Sequence, residues 1–71
     1  MEYLENKEIM LTCREREILI LIFNGQTTKQ IGQKLVISEL TVKTHRQNLL
    51  KKLNAHNTPE LIKNALSFNL I

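Results

Sequence analysis

Tryptophan is absent from this 71-residue chain, cysteine and proline occur once each, and glycine twice. Each scarcity closes a route to stability or chemistry. One cysteine, Cys13, cannot form an internal disulfide, and together with His45 and His56 it shows none of the usual zinc spacings. Neither a metal nor a cofactor is expected. No apolar run approaches the roughly 20 residues of a membrane span, and the N-terminus lacks a basic-then-apolar signal layout. The expected setting is therefore the reducing cytoplasm, with no membrane partner. There is also no acid/base pair, no nucleophile–base arrangement and no glycine-rich phosphate loop, so the chain is expected not to be an enzyme. A domain this small buries only roughly 60% of its unfolded surface. With disulfides and metal set aside, helix packing and dimerisation are what remain to stabilise it.

What is present is a lopsided charge. Ten Lys and Arg stand against seven Asp and Glu, a net +3, with a pI of about 9.3. Glu2, Glu5, Glu8, Glu15 and Glu17 all precede residue 18, whereas residues 29–52 hold Lys29, Lys34, Lys43, Arg46, Lys51 and Lys52 against Glu39 alone. Such a segment attracts phosphates and steers association with nucleic acid. The bland alternative is an ordinary solvated face.

Helix punctuation is legible along the chain, and the expected architecture is all-α with four helices. Residues 1–10 show no period and read as an N-terminal tail, leaving one domain over residues 11–71. Thr12 and Glu15 fit a capping box opening a helix over about 13–24, with Gly25 in the left-handed position beyond it. Its Ile18–Phe23 run is wholly apolar; taken alone it could be a buried strand, but the flanking signals favour a helix enclosed on most sides. Thr27 and Gln30 form a second capping box for a short helix over 28–35, in which Gly32 is expected to face a neighbour at close range. Val36 and Ile37 make a turn, with Ile37 pointing inward. Ser38 caps a third helix over 39–53, where Val42, Arg46, Leu49 and Leu53 share one face within about 60°. Thr58 is the expected N-cap of a last helix over 59–68, with Pro59 at its first position and Leu61, Ala65 and Phe68 in one stripe. Asn69 is its expected left-handed cap.

A short helix, a brief break and a longer helix whose outer side carries Lys43, Thr44, Gln47 and Lys51 are the parts of a helix-turn-helix within residues 27–53. The expected activity is DNA binding.

The stretches LTCREREILILIFNGQTTKQIGQKLVIS (residues 11–38) and TVKTHRQNLLKKL (residues 41–53), followed by a last helix ending in NLI, resemble the LuxR-type (FixJ/NarL-type) helix-turn-helix domain of bacterial transcription factors. The elements LTxRE, GxTxKxI, IS with TVKxH, and the following KL stand in order without a gap. The resemblance implies a four-helix domain, with its helix-turn-helix motif at residues 27–46, that binds double-stranded promoter DNA in the major groove, as a homodimer, within a regulator that is stand-alone or the output domain of a response regulator; RNA polymerase would be a further partner. Cys13, Gly32 and Asn69 depart from the family, which commonly has Pro, Lys or Glu, then Ala, then Gly at those places.

By that resemblance Lys43, Thr44 and Gln47 face base edges. Their chemistry suits guanine O6/N7, a thymine methyl and adenine respectively. Thr28, Lys29, Ser38, Thr41, Arg46, Asn48 and Lys51 are candidate phosphate contacts, although capping alone explains Ser38. Ile62, Leu66 and Asn69 are candidates for the dimer seam, with Ile62 and Leu66 as core residues the equal alternative. His45 is expected to be packed or to touch a phosphate rather than to act as a ligand or pH switch. Cys13 beside a helix N-cap raises oxidant sensing, against the commoner inert thiol. A protein-interaction module using the amphipathic helices is the rival function.

Overall fold

The computed structural model describes residues 9–71; the rest of the expected tail, residues 1–8, lies outside the described residues. Four helices follow one another: α1 Cys13–Phe23, α2 Thr28–Leu35, α3 Glu39–Lys52 and α4 Thr58–Ser67. They match the expected helices to within a residue at each end.

The helices begin where local chemistry satisfies their first amides. Thr12 Oγ1 accepts from the Glu15 N–H (3.1 Å) while Glu15 Oε1 accepts from the Thr12 N–H (2.9 Å). Thr27 and Gln30 repeat that reciprocal pair at the start of α2. Ser38 Oγ accepts from the Thr41 N–H at 3.0 Å to open α3. The last helix corrects the expectation. Its N-cap is Asn57, whose Oδ1 accepts from the Glu60 N–H at 2.9 Å. Thr58 is instead the first helical residue, and its hydroxyl accepts from Arg46 Nη2 at 2.7 Å. Pro59 therefore sits second rather than first, where a missing N–H is still harmless. Glu60 also accepts from the His56 N–H, and that bond first of all holds its carboxyl below the usual range.

Three of the helices end alike. Past α1, the Gly25 N–H bonds Ile22 O and the Gln26 N–H bonds Leu21 O; the same pair of bonds recurs around Asn54 after α3 and Asn69 after α4. Each turn is closed by a left-handed residue: Gly25 (φ 85°), Asn54 (φ 53°) and Asn69 (φ 58°). This double bond satisfies carbonyls that a helix end would leave bare. After α2 the left-handed residue is Val36 (φ 58°), a β-branched residue for which that conformation costs roughly 1–2 kcal/mol. The sharp turn it makes brings α3 close. A Cβ on Gly32 would stand 2.8 Å from Ile37 O, so only glycine fits there without moving the turn.

The core is Ile18, Leu19 and Ile22 of α1, Ile31 of α2, Val42, Leu49 and Leu53 around α3, and Leu61 and Ala65 of α4. Helix α3 lies centrally and packs against the other three. Ile9, Leu35 and Ile37 seal its edges. Two expectations about the apolar faces need correction. The Ile18–Phe23 run is not enclosed on most sides, because Ile20 and Phe23 face outward. A wholly apolar run carries no phase, and neighbours cover only the side toward α3. Phe68 does not complete the stripe of Leu61 and Ala65: it falls on the residue that ends α4 and is exposed.

One polar group enters the core. Glu15 is 4% exposed, and its Oε1 accepts from Lys52 Nζ at 2.7 Å as well as from Thr12. Burial works against its charge, but the Lys52 and Thr12 hydrogen bonds outweigh it and hold the carboxyl below its ordinary value. Lys52 Nζ also donates to Met10 O (3.0 Å), tying the chain's entry into the domain to the far end of α3.

Candidate nucleic-acid interface

Ser38 fixes where α3 starts, and the core face fixes how it is turned. With Val42, Leu49 and Leu53 buried, the opposite side presents Leu40, Lys43, Thr44, Gln47 and Lys51, all exposed. Thus the structure brings Lys43, Thr44 and Gln47 together on one outward surface, as the spacing predicts. The Thr44 hydroxyl donates to Leu40 O at 3.1 Å. Its polar branch is committed to its own helix, and a methyl is the branch left over.

The candidate phosphate contacts divide by what already holds them. Lys29 and Lys51 are exposed and pair with no acid among the described residues. Thr28 lies in the first turn of α2, half-buried, and Asn48 is half-buried beside Gln47. Ser38 and Thr41 are exposed, but Ser38 Oγ donates to Thr41 Oγ1 at 2.9 Å, so capping engages both hydroxyls. Arg46 is half-buried with one N–H on Thr58, bridging α3 to α4. His45 sits at the border of the core; its Nδ1 is buried and has no hydrogen-bond partner among the described residues, which fits a packed imidazole.

Two of the described acids are engaged away from this surface. Glu17 pairs with Arg14 on α1 (3.1 Å) and Glu15 with Lys52. Glu39 remains at the start of α3, where a carboxylate complements the helix dipole. Lys29, Lys43 and Lys51 therefore face outward with no acid partner among the described residues. Elsewhere, Lys29, Gly32, Gln33 and residues 36–39 line a shallow, open groove beside the turn. It excludes Lys43, Thr44 and Gln47, and the surface that gathers the hydrogen-bonding side chains is the convex one on α3. Cys13 is exposed at the start of α1. Among the described residues, no cluster of three or more His, Cys, Asp or Glu could hold a metal, and no helix is long and apolar enough to cross a membrane.

On the candidate dimer seam, Ile62 is half-buried and packs on the core, Leu66 is exposed, and Asn69 is the left-handed residue after α4. Sequence reasoning missed Leu40, which is 73% exposed on the same outward side of α3. The wheel carries the signal: at about 100° per residue Leu40 falls between Lys43 and Thr44 and within about 20° of Gln47. Lys52 with Glu15 and Arg46 with Thr58 were also missed, and no local pattern announces either pair.

A two-turn helix, a tight turn and a longer helix with an exposed cationic face, braced by two further helices, define a helix-turn-helix domain. The family model for bacterial regulatory proteins of the luxR family matches residues 10–65, and the chain belongs to that family: it is a LuxR-family DNA-binding helix-turn-helix domain of transcriptional regulators. It is 55% identical over 56 residues to the uncharacterized response regulatory protein YgeK of Escherichia coli, a match covering 79% of this chain and 38% of that protein. It is 43% identical over 70 residues to the transcriptional regulatory protein MctR of Rhizobium johnstonii, covering 99% and 33%. The crystal structure of the response regulator ChrA of a heme-sensing two-component system superposes with a TM-score of 0.85 at 37% identity, covering 96% of this chain and 34% of that one. The Vibrio cholera VqmA–ligand–DNA complex gives 0.84 at 28% identity, covering 99% and 31%. The chain spans about a third of the length of the relatives it matches.

Proposed function

We propose that this domain reads the sequence of double-stranded promoter DNA by laying α3 in the major groove, as one half of a dimer. The observation that carries the reading is the division of α3: one side is locked in the core, while the other exposes Lys43, Thr44 and Gln47 near the end that enters the groove. Lys43 can donate to guanine, Gln47 can pair with adenine through two hydrogen bonds, and the Thr44 methyl can meet a thymine methyl. Thr28, Lys29, Ser38, Thr41, Arg46, Asn48 and Lys51 are assigned to the phosphates, with Lys29 and Lys51 the strongest. Such contacts set register and salt response rather than sequence choice.

Dimerisation is assigned to α4 through Ile62, Leu66 and Asn69, supported by the exposure of Leu66 on a helix whose other side holds Leu61 and Ala65 in the core. Two copies would set their reading helices about one helical turn of DNA apart. Leu66→Asp is expected to weaken binding to paired half-sites while the monomer stays folded; global unfolding would place Leu66 in the core. RNA polymerase is proposed as a partner of the whole regulator only, and a cytoplasmic setting and the absence of catalysis go with the same reading.

The test is selection from random duplexes followed by a salt titration of the enriched sequence. A plot of log affinity against log salt is expected to fall with a slope of about −2 or steeper per domain, from the release of ions by Lys29 and Lys51. The rival protein-docking function predicts no enriched sequence and little response to salt.

A further inference from the structure

The proposed reading face begins with an apolar residue. Leu40 is the second residue of α3 and is 73% exposed, on the side opposite Val42 and Leu49. The fold does not use it: it belongs neither to the core nor to the partly buried residues sealing it. A lone exposed leucine is ordinary on a protein surface, but this one lies one turn before the side chains assigned to bases and on the same side of the helix. Lys43 and Thr44 lie on the next turn along the same side, with Gln47 and Lys51 in line beyond. The Thr44 hydroxyl is held by Leu40 O at 3.1 Å, so the branch of Thr44 not tied to the helix is apolar too. An isobutyl group and a methyl thus share one side of the helix, one turn apart, next to Lys43.

Only one feature of a base edge in the major groove suits such a spot. The other groups that tell bases apart there are hydrogen-bond donors and acceptors, beside the small C5–H of cytosine, whereas thymine carries a bulky apolar methyl at C5. We propose that Leu40, with the Thr44 methyl beside it, is a specificity-determining contact that takes the 5-methyl group of a thymine in each half-site. The inference rests on the DNA-reading function proposed above and adds to it a residue and the base feature it recognises. Leu40 stands nearer the start of α3 than Lys43, so its thymine lies at the flank of the bases read by Lys43 and Gln47.

The test uses the duplex enriched by the intact chain, resynthesised with each thymine in turn replaced by deoxyuridine, which removes the methyl and leaves base pairing unchanged. One thymine position per half-site is expected to lose about fourfold in affinity, the effect of leaving one methyl unburied. Leu40→Ala, checked for unchanged helical circular dichroism, is expected to distinguish the thymine and deoxyuridine duplexes by about twofold or less at that position, what remains being the contact of the Thr44 methyl. It should keep the selectivity that Lys43 and Gln47 confer elsewhere. If deoxyuridine is tolerated at every position, or if Leu40→Ala still distinguishes the two duplexes as strongly as the intact chain does, the proposal is overturned while DNA reading stands. If no sequence is enriched at all, DNA reading falls and takes this proposal with it.

Discussion

The two faces of α3 are built from the same fourteen residues and obey opposite rules. On the inner face Val42 and Leu49, with Leu53 just past the helix, are sealed from water against α1, α2 and α4. On the outer face Leu40, Lys43, Thr44, Gln47 and Lys51 are open to water, with neither lysine paired to an acid among the described residues. The inner face has a partner inside the molecule and the outer face has none. The lesson is that exposure alone does not separate a solvated face from a reading one. What separates them here is a structural investment on the inner side that fixes the direction of the outer one: a cap at Ser38, a strained turn at Val36 and a buried clamp from Glu15 to Lys52.

The largest effect should come from breaking the inner face. Leu49→Ala leaves a cavity at the junction of the helices and is expected to destabilise the domain by about 2–5 kcal/mol in urea unfolding, without changing which sequence the folded fraction selects. Next comes the clamp. Lys52→Met leaves the buried Glu15 carboxylate without its cation and should cost about 1–3 kcal/mol near neutral pH. The pH dependence follows from the sign of the shift. Folding lowers the Glu15 pKa from its ordinary 4.5, so its contribution is complete above that value and is lost as pH falls through the lower, folded one. The gap between Lys52→Met and the native chain should therefore narrow in acid, which unfolding curves from pH 7 down to about 3 would show. Smaller still, and opposite in sign, is the turn. Val36→Asn puts a residue tolerant of left-handed backbone where valine is strained, and should stabilise by about 1 kcal/mol. Because Val36 is 87% exposed, removing its side chain costs little packing.

The same contrast explains what could be read from the amino-acid sequence. Signals within four residues were legible: the capping pairs of Thr12 with Glu15 and Thr27 with Gln30, the Ser38 cap, and the left-handed Gly25 and Asn69. Features decided by distant neighbours were not. Asn57 and Thr58 are both good N-caps, and the contact of Thr58 with Arg46, twelve positions back, goes with Asn57 taking the role. The Ile18–Phe23 run has no polar residue to mark its outer side, so the exposure of Ile20 and Phe23 had to come from the packing. Lys52 and Glu15 lie 37 positions apart and leave no pattern. Val36 was legible as a turn residue, but its left-handed conformation goes against valine's preference and is imposed by the approach of α2 and α3. As for the proposed reading surface, periodicity placed Lys43, Thr44 and Gln47 on one side, yet Leu40, apolar and on that same side, carries no polar signal that marks it as exposed.

The outer face is tested most directly by the pair Lys43→Ala plus Gln47→Ala. Binding of this double variant to the enriched duplex and to a scrambled one should be compared at matched salt, alongside its circular dichroism. Equal affinity for both duplexes with an unchanged helical spectrum is the predicted result, because the inner face holds the fold and Lys29 and Lys51 still hold the phosphates. Full preference for the enriched duplex in the double variant would contradict the assignment of α3's outer face to base reading.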